Sequence, residues 1–398
     1  MDIFKKCYDF TLADQYKEMG IYPYFHVLES KQDTVVYMEG DRKVMIGSNN
    51  YLGLTSHPEV IEAVVEAAKK FGSGCSGSRF LNGTLSEHVI MEKEIAEFLN
   101  KEDCISMSTG FQTNLGIISA IAGRGDVVLC DKENHASIYD AIKLSYADMV
   151  RFKHNDMEDL EEKLKNVPQE KGIIIVTDGV FSMTGEICNL PKLVELKEKY
   201  GAKLLVDDAH GFGVLGKNGR GTAEHFGLED KVDLITGTFS KSLASLGGFC
   251  VGDHKVIDFI RHTSRPFIFA ASIPPTAVAA VRKALEIIKR EPERTANLIN
   301  ISNYMREALR KRGVKFREGE TPIIPIYTND AETTLKACKM LYERGVYVNS
   351  VLPPATPANE CLIRTSYTAT HTEELMDEAA DKIKEVLVEL GIITEENK

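Results

Sequence analysis

The feature of this sequence that most constrains its fold is an alternation of helical patterns with short, continuous apolar runs, which begins near residue 58. The clearest helical patterns are Pro58–Phe71 and Ser86–Asn100. The apolar runs, each closed by polar or glycine residues, are Cys104–Met107, Val127–Cys130, Ile173–Thr177, Leu204–Val206, Leu234–Thr236 and Phe249–Val251. Such runs are typical of strands buried on both faces of a mostly parallel sheet. The sequence therefore predicts an α/β fold with helices flanking that sheet.

A second pattern, after residue 274, indicates a smaller α+β domain. It consists of Pro274–Arg290, Asn297–Lys311, Ile323–Tyr327, Gly345–Val351, Cys361–Tyr367 and a final amphipathic helix over 372–390. The first 45 residues have the pattern of a helix followed by an extended segment. We therefore predict an N-terminal arm at 1–45, a large domain at 46–285 and a small C-terminal domain at 286–398.

Charge and cysteine usage exclude several classes of protein. The net charge of -11 argues against a nucleic-acid-binding protein, which needs basic surface to neutralise phosphates. The eight cysteines are scattered, with no CxxC pair and no zinc-ligand spacing, so we expect reduced thiols and no metal. No signal peptide and no apolar run of roughly 20 residues is present, which predicts a cytoplasmic location. A peripheral membrane contact through Ile21, Tyr22, Tyr24 and Phe25 is an open alternative.

Polar residues that could take part in binding or catalysis follow the predicted strands, at the edge where open parallel sheets bind their ligands. The run Leu204–Val206 is followed by Asp207, Asp208 and His210. A lone acid at this position usually caps a helix or forms a turn. Acids and a histidine together, followed closely by glycines, instead favour a ligand site.

The next strand is followed by a lysine in an unusual setting. Lys241 is preceded by Thr238 and Ser240 and followed by Ser242, with Gly247 close behind. Most lysines lie on solvated faces, but this one follows a buried strand and precedes a loop of small residues. That setting suits an amine that must lose its proton and attack a carbonyl, and the hydroxyl groups could bind a phosphate.

Three more strand ends add to this pattern. Gly110 and Phe111 begin a predicted helix, whose N-terminal N–H groups can bind an anion. His135 could stack on a flat ring. Asp178 and Ser182 follow another strand, and Asp178 could equally be a structural turn residue. Together these residues offer an amine, an acid, imidazoles and a phosphate site, which are the groups that an enzyme dependent on pyridoxal 5'-phosphate (PLP) must contribute.

These motifs resemble those of the α-oxoamine synthases, PLP-dependent enzymes of fold-type I that join an amino acid to an acyl-CoA with loss of CO2. The resemblance covers nearly the whole chain. The matching segments are 47–54 (GSNNYLGL), 72–84 (GSGCSGSRFLNGT), 134–137 (NHAS), 178–183 (DGVFSM), 207–210 (DDAH) and 237–241 (GTFSK).

The resemblance implies a role for each candidate residue. Lys241 would bond covalently to the PLP aldehyde and later act as a base, and Asp207 would pair with the pyridine nitrogen. His210 would bind the phenolic oxygen of the ring, and His135 would stack on the ring and orient the substrate. The other implied contacts are Gly110, Phe111, Ser182, Thr238 and Ser240 for the phosphate or ring oxygen, Arg364 for the substrate carboxylate, and Asn49 near the substrate.

The resemblance also implies a homodimer whose subunits share the active site. Many relatives place a serine after the segment equivalent to Ile268 and Phe269, where it contacts the phosphate in the neighbouring subunit. This chain has Ala270 at that position, so the contact is either absent or made by Ser272 or Thr276.

Within the family, the segments 22–25, 72–84 and 238–248 most resemble bacterial serine palmitoyltransferase. That branch implies condensation of L-serine with palmitoyl-CoA to 3-ketodihydrosphingosine, CoA and CO2. Glycine C-acetyltransferase and 8-amino-7-oxononanoate synthase share the catalytic motifs and remain alternatives. The wider alternatives are an aminotransferase or decarboxylase of the same fold and a non-catalytic partner subunit, although such subunits lose the lysine that is kept here as Lys241.

Overall fold

The computed structural model describes residues 2–394, which form two compact units. One unit spans Asn49–Ile299, and the other combines the residues up to Ser48 with those from Asn300 onward. The strands are β1 Val35–Met38, β2 Asp41–Met45, β3 Asp103–Met107, β4 Val127–Asp131, β5 Asp148–Phe152, β6 Ile173–Asp178, β7 Lys203–Asp207, β8 Leu234–Thr238, β9 Gly248–Gly252, β10 Ile323–Asn329, β11 Val346–Tyr347, β12 Asn349–Val351 and β13 Cys361–Ser366. The helices are α1 Lys5–Tyr8, α2 Leu12–Glu18, α3 Pro58–Phe71, α4 Ser86–Phe98, α5 Gly110–Ile121, α6 Ala136–Ser145, α7 Met157–Lys165, α8 Leu190–Tyr200, α9 Thr222–His225, α10 His254–Thr263, α11 Arg265–Ile268, α12 Pro275–Arg290, α13 Glu293–Lys311, α14 Ala331–Glu343 and α15 Glu373–Glu389.

The unit 49–299 is built on a sheet with the strand order β3-β9-β8-β7-β6-β4-β5. Strands β8, β7, β6, β4 and β5 pair in parallel, and β9 runs antiparallel to both of its neighbours. Strand β3 therefore points in the same direction as β8. The carboxyl ends of all these strands except β9 meet at one edge of the sheet.

Apolar side chains cover both faces of this sheet. On β6, for example, Ile174 and Val176 belong to a core with residues of α5, α6 and α10, while Ile175 between them points to the opposite face and is also fully buried. This two-sided burial explains why the strands have continuous apolar sequences rather than alternating ones.

The second unit has two small sheets, β1-β2-β11 and β10-β13-β12. Its main core joins the apolar faces of α14 and α15 to strands β10 and β13. Ile324, Ile363 and Ile383 are fully buried there. None of the helices in the described residues is long and apolar enough to cross a membrane.

The predicted mostly parallel sheet with flanking helices is confirmed, and each predicted strand of the large domain is present. One detail differs. The segment Gly345–Val351 forms two strands, because β11 pairs with β2 whereas β12 pairs with β13. The first 45 residues contain the hairpin β1-β2, and β2 pairs with β11 of the same unit. The two compact units divide at 48/49 and 299/300, and the domain bounds 1–45, 46–285 and 286–398 stay a prediction.

Candidate active site

The carboxyl ends of the parallel strands surround a cavity of about 240 Å³ within the unit 49–299. The nine residues predicted to bind a cofactor all line it, namely Gly110, Phe111, His135, Ser182, Asp207, His210, Thr238, Ser240 and Lys241. They come from five different strand ends that are far apart in the sequence. The structure thus brings the whole predicted cofactor set together, while the role of each residue remains a prediction.

One side of the cavity is suited to bind a phosphate. Helix α5 begins at Gly110, after Thr109 caps it by accepting a hydrogen bond from the Gln112 N–H at 3.0 Å. A Cβ on Gly110 would lie 2.9 Å from the side chain of Thr238, so only glycine allows the helix to begin this close to that hydroxyl. Thr238 Oγ1 lies 2.9 Å from Ser240 Oγ. A helix N-terminus next to two hydroxyl groups fits a phosphate.

Lys241 lies in a tight loop between β8 and β9. The loop is closed by a hydrogen bond of 2.9 Å from the Phe239 N–H to the Gly247 carbonyl. Gly247 has a φ of 134°, and a Cβ there would come within 2.6 Å of the Phe239 ring. The glycine and the buried Phe239 therefore fix the loop that carries the lysine to the cavity.

Asn114, which sequence reasoning missed, organises the floor of the cavity. Its Nδ2 donates to Asp207 Oδ2 at 2.6 Å and to Ser137 Oγ at 2.9 Å, and its Oδ1 accepts from Thr236 Oγ1 at 3.1 Å. The Ala209 N–H donates to the other oxygen of Asp207 at 3.1 Å. Hydrogen-bond donors thus reach both oxygens of Asp207 and fix the orientation of its carboxyl group, which suits a partner for a pyridine nitrogen.

The same hydrogen-bond network determines the protonation state of His135. Its Nδ1 lies 2.7 Å from Ser137 Oγ and accepts a hydrogen bond from the Ser137 N–H at 3.3 Å. Burial lowers the pKa of His135. The charge of Asp207 acts to raise this pKa and the charge of Lys241 acts to lower it, so the pKa stays below its usual value. The imidazole is therefore neutral at physiological pH and, with Nδ1 as acceptor, carries its proton on Nε2.

His210 is oriented by Tyr51, a second residue that sequence reasoning missed. The Tyr51 hydroxyl lies 2.7 Å from His210 Nδ1 and 3.4 Å from Asn49 Oδ1. The predicted substrate residue Asn49 thus connects to a cavity residue through Tyr51, although Asn49 does not line the cavity itself. Tyr51 lies within the family-like segment 47–54, and that position was the available signal.

His154, at the end of β5, is a third residue without a sequence signal. Its Nδ1 lies 3.0 Å from Asp131 Oδ1 and its Nε2 lies 3.1 Å from Glu186 Oε2. Burial alone would lower the pKa of His154, but the hydrogen bonds to these two carboxylates outweigh it and raise the pKa to about 9. The charged ring ties the loop that leads to His135 to the loop that contains Ser182.

We expect His154→Gln to destabilise the protein in a pH-dependent way. The raised pKa stabilises the folded state most below about pH 6.5, and this stabilisation is lost as the pH rises through about 9. The loss of unfolding free energy in the variant should therefore be largest at low pH and should shrink over the same range. Near neutral pH the cost should be about 2 kcal/mol. Thermal unfolding of wild type and variant from pH 6 to pH 10 measures the difference in Tm. A difference in Tm that does not narrow between about pH 6.5 and pH 9 would contradict the assignment.

The predicted carboxylate-binding residue Arg364 belongs to the other unit. It lies on β13, is 5% exposed, and its Nη1 donates to Ser366 Oγ at 3.4 Å. Its role in substrate binding stays a prediction.

A larger cavity, of about 730 Å³, lies at the opposite edge of the same sheet. Its lining includes Lys203 and Asp233, at or next to the amino ends of β7 and β8. These two side chains bind each other at 3.3 Å. Size alone therefore does not identify the candidate site, and the smaller cavity is the candidate because the amine, acid and imidazole groups converge on it.

Comparisons with known proteins identify the family of the chain. Residues 41–383 match the model of the family described as aminotransferase class I and II. The chain is 50% identical to serine palmitoyltransferase of Sphingobacterium spiritivorum, over 96% of each chain, and 41% identical to 8-amino-7-oxononanoate synthase 1 of Bacillus velezensis, over 96% of this chain and 97% of that one.

A solved structure supports the same grouping. Serine palmitoyltransferase from S. paucimobilis, with PLP joined to myriocin, matches with a TM-score of 0.96 and 36% identity over 99% of this chain and 100% of that chain. The predicted fold-type I architecture and the resemblance to the α-oxoamine synthases are thereby confirmed. The chain belongs to the aminotransferase class I and II family.

Proposed function

We propose that this protein is a PLP-dependent acyltransferase that condenses L-serine with a long-chain acyl-CoA, palmitoyl-CoA in the first instance, to give 3-ketodihydrosphingosine, CoA and CO2. The observation that carries the proposal is the convergence of Lys241, Asp207, His135 and His210 on one cavity, beside the N-terminus of α5. The match to serine palmitoyltransferases over nearly the full chain supports the choice of substrates.

The cavity residues fit PLP and divide its binding between them. The N-terminus of α5, with Thr238 and Ser240, would hold the phosphate, and Asp207 would hold the proton of the pyridine nitrogen. His210 would bind the phenolic oxygen, with its ring held by the 2.7 Å hydrogen bond between its Nδ1 and the Tyr51 hydroxyl. When bound, PLP supplies an aldehyde that captures amines and a ring that stores an electron pair.

The remaining steps fall to the side chains of this protein. Lys241 Nζ would bond to the cofactor aldehyde in the resting enzyme and, once the amino acid has displaced it, would remove the α-proton of the substrate. His135 lines the same cavity as Lys241. As a neutral Nε2–H donor, it would orient the substrate carboxylate and the thioester oxygen. Arg364 would bind that carboxylate.

The homodimer with a shared active site, the use of acyl-CoA and a cytoplasmic location belong to the same proposal. Large apolar side chains exposed on the unit 49–299, such as Leu81 and Phe269, are consistent with a covered surface. Ser272 Oγ is buried within its own chain against Gly83, which favours Thr276 for the cross-subunit phosphate contact. A peripheral membrane contact through residues 21–25 is supported by Phe25, which is 91% exposed, but not by Ile21, which is buried.

A matrix of substrates tests the proposal. Serine, glycine and alanine would each be combined with short-chain, medium-chain and palmitoyl-CoA, and release of free CoA would be measured. We expect the highest kcat/KM for serine with palmitoyl-CoA. A preference for glycine or alanine with a short-chain acyl-CoA would instead support glycine C-acetyltransferase or 8-amino-7-oxononanoate synthase activity, the second of which also occurs among the relatives.

A further inference from the structure

Two buried carboxyl groups stand side by side at the cavity. Asp178 ends β6 and Asp207 ends β7, and the two residues are partners in the parallel register of these neighbouring strands. Partners in adjacent strands lie about 5 Å apart and point to the same face of the sheet. Their exposures are only 4% and 7%. Two ionised carboxylates this close and this shielded from water repel each other strongly, so the pair is expected to keep one proton.

The hydrogen bonds around the pair are unequal. Asp207 accepts from the Asn114 amide at 2.6 Å and from the Ala209 N–H at 3.1 Å, one donor on each oxygen. Asp178, by contrast, accepts from the His135 N–H at the long distance of 3.4 Å, and within residues 2–394 no second donor reaches its carboxyl group. Since hydrogen bonds from N–H groups stabilise the ionised form, the negative charge belongs on Asp207.

The other charges around Asp178 do not reverse this order. Burial and the charge of Asp207 raise the pKa of Asp178 well above its usual range, and Asp131 acts in the same direction. The His135 N–H and the Lys241 side chain oppose the rise without cancelling it.

We propose that Asp178 is the neutral, proton-carrying member of a buried acid pair with Asp207, so that the pair presents a single negative charge and presents it at Asp207. The meaning of this charge for the cofactor rests on the proposed function. Asp178 is then a positioning residue. Its carboxyl group holds the backbone of His135, and its neutrality leaves Asp207 as the one anion that can keep the pyridine nitrogen protonated.

Asp178→Asn tests the proposal, because an amide closely resembles a protonated carboxyl group and can still accept from the His135 N–H. We expect the variant to bind PLP within about threefold of wild type, whereas Asp207→Asn should weaken binding more than about tenfold. Equilibrium titration of the full-length protein with PLP, read by absorbance, gives both values. An Asp178→Asn variant weakened as much as Asp207→Asn would overturn the proposal.

A second measurement needs neither cofactor nor substrate, so its outcome does not depend on the proposed function. At about pH 8 the infrared spectrum of the full-length protein should contain the carbonyl stretch of a protonated carboxyl group, and Asp178→Asn should remove it; Asp208, whose pKa burial raises to about 6, is ionised at that pH. If the band is absent from wild type or persists in the variant, Asp178 is not the protonated acid. Should the variant fail to fold, carboxyl-carbon NMR of wild-type protein labelled at aspartate gives the same information, since one aspartate should stay protonated at this pH.

Discussion

Replacing Lys241 by alanine is expected to abolish the visible absorbance of the bound cofactor and to lower kcat by at least about 10³-fold. The substitution removes both functions assigned to this amine, the covalent bond to PLP and the removal of the α-proton. The fold should be preserved, since the loop is fixed by Phe239 and Gly247 rather than by the lysine. Absorbance spectra of the purified variant and CoA release under saturating substrates measure the two effects.

Lys203→Ala is the matched control for this variant. Lys203 begins β7, at the edge of the sheet opposite to the candidate site. Its side chain is 72% exposed, and its contact with Asp233 is at the surface. We expect the control to keep both the absorbance and the activity. If the Lys241→Ala protein retains either one, the assignment of the covalent lysine is wrong.

Replacing Asp207 by asparagine is expected to lower kcat/KM by about 10²- to 10³-fold, because an amide cannot hold the pyridine nitrogen in its protonated form. Without that proton the ring stores an electron pair poorly, so the loss should appear in kcat and not only in substrate binding. The amide oxygen can still accept from the Ala209 N–H, so we expect the variant to fold. Steady-state kinetics at saturating PLP separates this effect from weaker cofactor binding.

The neighbouring acid Asp208 provides a control for the Asp207 variant. Asp208 is buried and accepts hydrogen bonds from the Thr222 N–H at 2.7 Å and from the Thr222 hydroxyl at 2.6 Å. We therefore expect Asp208 to affect the stability of the folded protein and not the binding of PLP. Asp208→Asn is expected to lower Tm but to leave the PLP dissociation constant within about threefold of wild type. Equal loss of kcat in both variants would show that the charge of Asp207 has no special role.

The large domain was predictable because six of its seven strands are almost wholly buried, and five of these end at residues of the candidate site. Strand β5, Asp148–Phe152, was not predicted, since it lies at the sheet edge and only its last residue is buried, which removes the continuous apolar pattern. The shared sheet of β2 and β11 was also missed, because it joins segments some 300 residues apart whose sequences do not signal the pairing.

Within the site, the residues with motifs were found and their supporting partners were not. Lys241, Asp207 and His210 lie at strand ends in distinctive surroundings. Asn114 and His154 act through hydrogen bonds to residues distant in the chain, such as the bond from Asn114 to Asp207, so nothing in their local sequence marks them. Asp178 was recognised as a candidate, but its proton could be inferred only from the register that places it beside Asp207.

In the proposed reaction, this protein couples decarboxylation to acyl transfer. The reaction of serine with palmitoyl-CoA, run with serine labelled in its carboxyl carbon, tests it most directly. We predict that labelled CO2 and free CoA appear in equal amounts and at equal rates, and that neither appears with the Lys241→Ala variant. Free CoA without labelled CO2, or labelled CO2 without free CoA, would contradict the account.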